Sequence, residues 1–246
     1  MIRIRTEEPD YSWLEQREYD WKYTCYGGAK EEEVHDAPAP LGKRIITSSF
    51  TDANLYHDLI SGRSVTGILH FFNKTPIDWF TKLQSTVETA TFGSEYVASR
   101  TCTEQIIDLR LTLRYLGVPV EGPSYMFGDN KTVVDTASFP HGKLHKRHVA
   151  LSFHRTRYAI AAGAVQYHHV AGDRNPADIL SKHWDFRSVW PQLCPLLFWP
   201  GDTADLIPKD QPTSQDVPVL DDKSKESKDG AQDSPPKDTS APSDST

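Results

Sequence analysis

The 246-residue chain has little of what indicates a disulfide-bonded, zinc-binding or membrane-spanning protein. Its three cysteines, Cys25, Cys102 and Cys194, stand far apart and in no paired spacing. A disulfide scaffold or a zinc site is therefore not expected, and a reducing intracellular compartment is the default, with cytoplasm and nucleus not distinguished. No apolar run is long enough to cross a bilayer, and the first residues lack the apolar stretch of a secretory signal.

Basic charge is also scarce overall, since the formal net charge is -7. The excess of acid sits at the two ends: residues before Gly42 carry 5 basic and 10 acidic side chains, and residues from Pro208 onward carry 5 and 9. The middle, residues 43–207, carries 17 basic and 15 acidic side chains. This distribution permits a polyanionic partner for the middle of the chain without demanding one.

Composition divides the chain into four parts. Residues 208–246 have few apolar residues and no aromatics, and we expect this acidic tail to be disordered because it cannot bury enough surface to offset chain entropy. Residues 1–42 form an irregular lead-in, and residues 184–207 form a C-terminal extension. Residues 43–183 hold the regular pattern of one folded domain.

The regular pattern predicts a mixed α/β domain. Strands are expected at 43–52, 64–72 and 75–82, with the last two antiparallel because their turn is so short. A helix follows at 91–116, then a strand that reaches Asp129, a long helix at 145–163, a strand at 164–171 and a helix that opens in 175–182. Strands that meander and then alternate with helices favour a mixed five-stranded sheet flanked by helices.

Acidic side chains lie at the ends of predicted strands and on the buried side of a predicted helix. Asp52 and Asp129 each end a predicted core strand, where an ordinary turn residue is the alternative. Glu95 belongs to a stripe of the long helix whose other members are apolar or thiol, so it is expected to face the core. The alternative for Glu95 is an anion that complements the dipole of the helix N-terminus.

A fourth acid, Asp178, lies in the segment "RNPADILSK". With Asn175 as N-cap and Pro176 at the first helical position, Asp178 is placed at the third, where an acid is common. Strand ends and helix starts of an α/β sheet often gather into one crevice. Four carboxylates there would repel one another unless a divalent cation neutralised them, and oxygen ligands without His or Cys suit Mg²⁺ or Mn²⁺.

Five stretches carry a resemblance to a known family: "TDANLYHDLISGRSVTG", "PIDWFTKLQSTVETATFGSEYVA", "FGDNKTVV", "LHKRHVALSFHRTR" and "NPADILSK". Between about residues 45 and 183 the chain resembles the ribonuclease H domain of copia-type (LTR) retrotransposon Pol polyproteins. The phrase "KTPIDWFTK" and the "HWDF…FWPGD" extension are similar to elements of diatoms and related algae. The chain has two departures from the family pattern: Gly93 stands where an acid is frequent, and Ala150 stands where an Asp is usual.

The resemblance implies a ribonuclease H-like mixed sheet and an endonuclease that hydrolyses the RNA strand of RNA/DNA hybrids. Asp52, Glu95, Asp129 and Asp178 match the family's four acids and would hold two Mg²⁺ ions about 4 Å apart, with Mn²⁺ as an alternative. No Tyr-x-Asp-Asp turn of a reverse transcriptase is present. We therefore expect an isolated C-terminal fragment, with a reverse-transcriptase domain supplied by a longer polyprotein as a partner.

Substrate contact is expected mainly from the basic stretch 143–157. The candidate nucleic-acid-binding residues are Arg63, Asn130, Lys143, Lys146, Arg147, His148 and Arg155. Cations would contact phosphates without reading sequence, and Asn130 could meet a ribose 2′-hydroxyl. Two alternatives stay open: the basic stretch is a solvated helix face, or the chain is a catalytically inactive or co-opted fragment that binds nucleic acid or a protein partner.

Overall fold

The structure, a computed structural model, describes residues 7–15, 18–144 and 146–197, all within one compact unit. The acidic tail predicted for 208–246 lies outside the described residues, as does the end of the C-terminal extension. The strands are β1 (Thr47–Asp58), β2 (Arg63–Phe72), β3 (Thr75–Leu83), β4 (Ser124–Gly128) and β5 (Val165–His169). The α-helices are α1 (Thr91–Tyr115), α2 (Lys131–Ser138), α3 (Ala150–Ala161), α4 (Asp178–Ser181) and α5 (Phe186–Leu197).

The five strands form one mixed sheet in the order β3-β2-β1-β4-β5. β2 runs antiparallel to both β1 and β3, whereas β4 is parallel to β1 and to β5. The parallel connections pass through helices, as parallel neighbours require. The predicted fold class, a mixed five-stranded sheet flanked by helices, is confirmed.

Three helices cover one face of the sheet. α1 packs on β1 and β2 and also against α3, while α2 and α3 pack on β5. Ile68 of β2 and Met126 of β4 point into this layer, where they meet Tyr96, Ile106 and other buried side chains. Because side chains alternate along a strand, the neighbours of Ile68 and Met126 face the opposite side.

Aromatic side chains fill the opposite face. Phe50 of β1 stacks on Phe127 of β4 with ring centroids 4.8 Å apart, and it meets Phe71 of β2 edge-on at 5.6 Å. Tyr11 and Trp13 of the lead-in pack on Phe127 at 5.4 and 6.2 Å. The lead-in therefore covers part of the sheet that the helices leave open.

The described part of the lead-in contains no helix or strand, but it is tied to the domain. Glu31 accepts hydrogen bonds from both Arg110 and Arg114 of α1, at 2.6 to 3.0 Å. Arg110 is buried, so its charge depends on this partner. At α3, Tyr26 and Trp21 lie against the buried guanidinium of Arg157. That the lead-in descends from a connection to a reverse transcriptase stays a prediction.

Two helices differ from the sequence prediction. The helix expected at 145–163 begins as a 3-10 turn at Arg147–Val149, and α3 starts at Ala150, where no side chain provides an N-cap. The prediction of Asn175 as a helix N-cap was wrong, because α4 begins at Asp178 with Ala177 before it. Asn175 lies in the turn before α4, where its Oδ1 accepts from the backbone N–H of Ala177 at 3.2 Å. Its Nδ2 donates to the backbone oxygen of Thr51 at 3.0 Å and ties this loop to β1.

Candidate metal centre

Parallel pairing of β1 with β4 brings Asp52 and Asp129 together. Phe50 lies opposite Phe127 in the register, and the two acids each follow two residues later. Neighbouring strands are about 4.8 Å apart, so acids at matching positions are close. β1 continues to Asp58, which means that Asp52 lies within its strand rather than at the predicted tip, while Asp129 follows the end of β4 directly.

Helix α1 adds a third acid from the helical face. Glu95 lies one turn into α1, on the side that packs on β1, and is 3% exposed. Its Oε1 accepts a hydrogen bond of 3.3 Å from the backbone N–H of Ala53. The position of Glu95 on a stripe with Ala98 and Cys102 explains this burial, as the sequence predicted.

Carboxylate oxygens of Asp52, Glu95 and Asp129 all lie within 4.8 Å of one another. They line one open cleft of about 490 Å³ together with Asn130 and Lys182. The acids come from β1, from α1 and from the residue after β4, and the fold brings these distant parts of the sequence together. A divalent ion could contact all three carboxylates from this cleft.

Helix α4 closes the centre on the side of β2. The Ser181 hydroxyl of α4 donates to Oδ2 of Asp52. α4 can approach this closely because Gly67, the partner of Asp52 on β2, has no side chain. A Cβ at Gly67 would lie 2.7 Å from the backbone oxygen of Ala177, closer than Cβ atoms tolerate. No local pattern in the sequence indicates these roles of Ser181 and Gly67.

Asp178 lies near the centre but outside the three-carboxylate group. Its Oδ1 forms an ion pair with Lys182, four residues later. The negative charge of Asp178 is close enough to raise the pKa values of both Asp52 and Asp129. Of the four predicted acids, three are therefore brought together, and the fourth is adjacent and paired with a lysine.

Burial and mutual repulsion make the protonated acids more favourable than usual. Burial, and secondarily the charges of Asp129 and Asp178, raises the pKa of Asp52 to about 6, although Ser181 and Lys182 oppose this shift. Burial together with Asp52 and Asp129 raises the pKa of Glu95 well above its ordinary value. Burial also raises the pKa of Asp129. Such a group of carboxylates favours binding of a cation that neutralises them.

The residues present fit a magnesium ion. Oε2 of Glu95 is buried and, within the described part of the chain, has no hydrogen-bond partner. An orphaned buried carboxylate oxygen is costly unless an ion or another donor satisfies it. All the acids of the centre offer hard oxygen ligands, the kind that Mg²⁺ and Mn²⁺ prefer.

When a chelator keeps the centre free of metal, the raised pKa of Asp52 should make the free energy of unfolding depend on pH. The folded pKa of about 6 exceeds the ordinary value of 3.8, so the contribution of this group is fully present below pH ~4 and is lost as pH rises through 6. We expect Asp52→Asn to raise the free energy of unfolding at pH 7 by about 3 kcal/mol, because it removes this loss. Urea unfolding in EDTA at pH 4.5 and pH 7 checks it; an equal effect at both pH values would contradict the shift.

Gly93 stands where the family that the sequence resembles frequently has an acid, and it lies beside another acid, Glu88. The carboxylate of the buried Glu88 occupies the space that a side chain at Gly93 would need. Oε2 of Glu88 is 2.8 Å from Nε2 of His148. The chain thus has no acid at position 93, and Glu88 binds His148, one of the predicted nucleic-acid contacts.

The other predicted nucleic-acid contacts lie on β2, on α3 and in the segment before α3. Arg63 is exposed at the start of β2, and Arg147 is exposed in the 3-10 turn before α3. Lys143 and Lys146 precede that turn, and Arg155 is half-buried on α3.

Asn130 lines the cleft, but its side chain also has a structural task. Its Oδ1 accepts from the backbone N–H of Val133 at 3.3 Å and thereby caps α2.

Sequence comparison relates part of this chain to retrotransposon proteins. It is 26% identical over 141 residues to the retrovirus-related Pol polyprotein from transposon TNT 1-94 of Nicotiana tabacum, and 24% identical over 141 residues to that from transposon RE2 of Arabidopsis thaliana. Each match covers 57% of this chain and 10% of the relative. No protein-family model matches the chain. The similarity supports a relationship to one segment of a retrotransposon Pol polyprotein.

Solved structures with a similar arrangement include ribonucleases H. The N-terminal RNase H domain of Rv2228c from Mycobacterium tuberculosis is 13% identical, with a TM-score of 0.44 over 61% of this chain and 97% of that one. LC11-RNase H1 in complex with an RNA/DNA hybrid is 16% identical, with a TM-score of 0.42 over 56% and 93%. With TM-scores below 0.5, these matches add nothing to the strand order described above. Every helix in the described residues is too short or too polar to traverse a bilayer.

Proposed function

We propose that this chain is a ribonuclease H-type endonuclease that hydrolyses the RNA strand of RNA/DNA hybrids with two divalent metal ions. The observation that carries the proposal is the convergence of carboxylate oxygens of Asp52, Glu95 and Asp129 within 4.8 Å in one cleft. The relationship to retrotransposon Pol polyproteins supports the substrate, since reverse transcription generates such hybrids.

The four acids would divide the metal ligands between them. Glu95 and Asp129 would hold one ion and Asp178 the other, with Asp52 between them as a shared ligand. When bound, Mg²⁺ ions supply a more acidic water and neutralise the charge on the leaving oxygen. Because water would be the attacking nucleophile, the centre requires no nucleophile from the protein.

The residues around the centre hold these ligands in place. Ser181 fixes one oxygen of Asp52, and the Ala53 N–H fixes one oxygen of Glu95. Their remaining oxygens are left for an ion. Asn175 anchors the loop that carries Asp178 to β1, so the fourth acid is kept beside the other three. Such preorganisation is what a metal-dependent hydrolase needs.

Cations outside the centre would bind the hybrid. Lys143 and Arg147 are both exposed and would contact phosphates, as would Arg63, Lys146 and Arg155. For His148, contact with nucleic acid would compete with its bond to Glu88. The side-chain NH2 group of Asn130 would contact a 2′-hydroxyl while its Oδ1 caps α2.

Removing two of these cations should weaken hybrid binding in a salt-dependent way. We expect Lys143→Ala with Arg147→Ala to reduce the slope of log affinity against log salt by about 2, because two phosphate contacts are lost. The measurement is fluorescence anisotropy with labelled hybrid over a salt series. Lys74→Ala is the matched control, since Lys74 lies in the β2–β3 turn at the other end of the strands from Asp52. An unchanged slope in the double variant would favour the solvated-face alternative.

The function is tested directly on four labelled substrates: a hybrid labelled on its RNA strand, the same hybrid labelled on its DNA strand, duplex RNA and duplex DNA. Purified full-length chain in Mg²⁺ should cut the RNA strand of a hybrid and leave its DNA strand, duplex RNA and duplex DNA intact. Cleavage should stop in EDTA. Binding of the hybrid without cleavage in Mg²⁺ or Mn²⁺ would favour the inactive or co-opted fragment instead.

The wider context also remains a proposal. The chain spans about a tenth of the length of the Pol polyproteins it matches, so a reverse-transcriptase neighbour is proposed as a partner from the resemblance. Assignment to a copia-type element similar to those of diatoms and algae is supported by the motifs quoted above. The relatives named here come from flowering plants.

A further inference from the structure

Lys182 is the residue of the centre that neither the sequence motifs nor the proposed ligand set explains. It follows directly after α4 and lines the same cleft as Asp52, Glu95 and Asp129. Its Nζ pairs with Oδ1 of Asp178, and its side chain is 40% exposed. An ammonium group therefore lies among the carboxylates that are proposed to hold metal.

The charge of Lys182 acts on the whole group. It lowers the pKa values of Asp52, Glu95 and Asp129, against the larger effect of their burial. In return, although partial burial of Lys182 works against its charge, the hydrogen bond to Asp178 and the charges of Asp52 and Asp129 raise the pKa of Lys182. Lys182 thus supplies part of the positive charge that these buried acids need.

The ion pair between Lys182 and Asp178 occupies Oδ1 of Asp178, an oxygen that a metal ion would need as a ligand. Asp178 is the acid proposed to hold the second ion with Asp52, but one of its oxygens is bound to Lys182. A divalent ion at Asp178 would bring two positive charges next to the ammonium group. Both cannot occupy the same oxygen, and their repulsion in a partly buried cleft is not fully screened.

We propose that Lys182 is a built-in counter-cation of the carboxylate centre, which neutralises the acids when no divalent ion is bound and must leave Asp178 when the second ion binds. This inference rests on the proposed function, because it assumes that the acids hold metal. Lys182 is a positioning residue rather than a metal ligand: it holds the centre together and sets how readily the centre accepts ions.

The length and attachment of the side chain suit this exchange. Lys182 is close to half exposed, so its flexible stem can turn toward solvent without unpacking the core. The backbone at Asp178 is held separately, since Trp184 Nε1 donates to the backbone oxygen of Asp178 at 3.2 Å. The ion pair can therefore open while the loop that carries Asp178 stays in place.

Removing the charge of Lys182 should lower the stability of the metal-free protein and raise its affinity for divalent ions. For Lys182→Met in the full chain, we expect a lower melting temperature in EDTA, because the acids lose their counter-cation. We also expect Mn²⁺ to bind about tenfold more tightly, which corresponds to ~1.4 kcal/mol. Isothermal titration calorimetry with Mn²⁺ and melting curves in EDTA and in saturating Mn²⁺ make the measurements. The difference in melting temperature should shrink or reverse in Mn²⁺.

Three further variants keep the test sharp. Lys182→Arg retains the charge and should bind Mn²⁺ as the wild type does. Lys182→Gln has no charge but can still donate to Asp178, so it should tighten Mn²⁺ binding even if the Met variant folds poorly. Lys131→Met removes another exposed ammonium group that lines the cleft and forms no ion pair within the described residues, so its effect on Mn²⁺ affinity should be smaller.

The outcomes distinguish this inference from the function it rests on. Unchanged or weaker Mn²⁺ binding by both uncharged variants, with wild-type binding and cleavage intact, would overturn the counter-cation alone. A wild type that binds no Mn²⁺ would overturn the counter-cation and the proposed function together. Equal effects of Lys182→Met and Lys131→Met would reduce Lys182 to a general contributor of positive potential, which also contradicts the proposal.

Discussion

Replacing Asp129 by asparagine should reduce hybrid cleavage by more than about 100-fold, because even residues that only support a metal ligand cost about 10- to 100-fold when replaced. Asparagine has nearly the same size as aspartate and forms turns equally well, so the end of β4 should keep its conformation. The substitution removes one anion from a group in which burial already raises the pKa of Asp129. The free energy of unfolding in EDTA should therefore not fall.

Hybrid binding separates a metal ligand from a structural residue at this position. The exposed cations around Arg147 lie on other parts of the chain, so the affinity of Asp129→Asn for hybrid should stay within a few-fold of wild type. The matched control is Asp108→Asn, which alters an exposed acid on α1 roughly 20 Å along the helix from Glu95. Undiminished cleavage by Asp129→Asn, with Asp108→Asn equally active, would show that Asp129 is only a turn residue.

Replacing Glu31 by alanine should lower the free energy of unfolding more than any other substitution proposed for this chain. Arg110 is buried, and Glu31 is the carboxylate that pairs with it, through bonds of 2.6 and 3.0 Å. Breaking a buried ion pair leaves an uncompensated charge and costs about 3 to 5 kcal/mol. With Glu31 itself partly exposed, we expect about 3 kcal/mol, or roughly 10 °C in melting temperature for a domain of this size.

Acid pH provides an internal check on the role of Glu31. Although burial opposes it, hydrogen bonds from Arg110 and Arg114 lower the pKa of Glu31 to about 2. A lowered folded pKa gives stability that is present above pH ~4.5 and is lost as pH falls toward 2. The difference between wild type and Glu31→Ala should therefore narrow in acid. Glu32→Ala, an exposed neighbour, is the control, and a loss as large as that of Glu31→Ala would refute the ion-pair account.

The sequence was most informative where periodicity and turn chemistry agree with tertiary packing. The stripe through Glu95, Ala98 and Cys102 placed an acid on the buried side of α1, and all three residues are buried. The strand that ends just before Asp129 was also predicted, because its apolar run with an abrupt polar end is a local feature, whereas β1 runs on past Asp52 to Asp58. Their parallel pairing is a feature of the tertiary fold, since β2, β3 and α1 lie between them in the chain.

The sequence could not show features that depend on distant partners. Leu116, the last residue of the predicted helix at 91–116, is exposed beyond the end of α1. Arg110 is buried although it is charged, and Glu31, 79 residues earlier, pairs with it. Asn175 was predicted to be a helix N-cap, yet α4 begins only at Asp178, and the Asn175 side chain bonds both to the backbone of Ala177 and to Thr51 of β1. Lys182 was visible in "ADILSK", but nothing local indicates that its ammonium group lies among acids from three other elements.

The proposed metal centre is tested most directly by anomalous diffraction from crystals of the full chain grown with Mn²⁺ and an uncleavable hybrid. We predict one anomalous peak coordinated by Asp52, Glu95 and Asp129, and a second one between Asp52 and Asp178, with the Lys182 ammonium group displaced from Asp178. Mn²⁺ peaks that lie elsewhere, or none within coordination distance of Asp52, would contradict the assignment of these carboxylates as the catalytic centre.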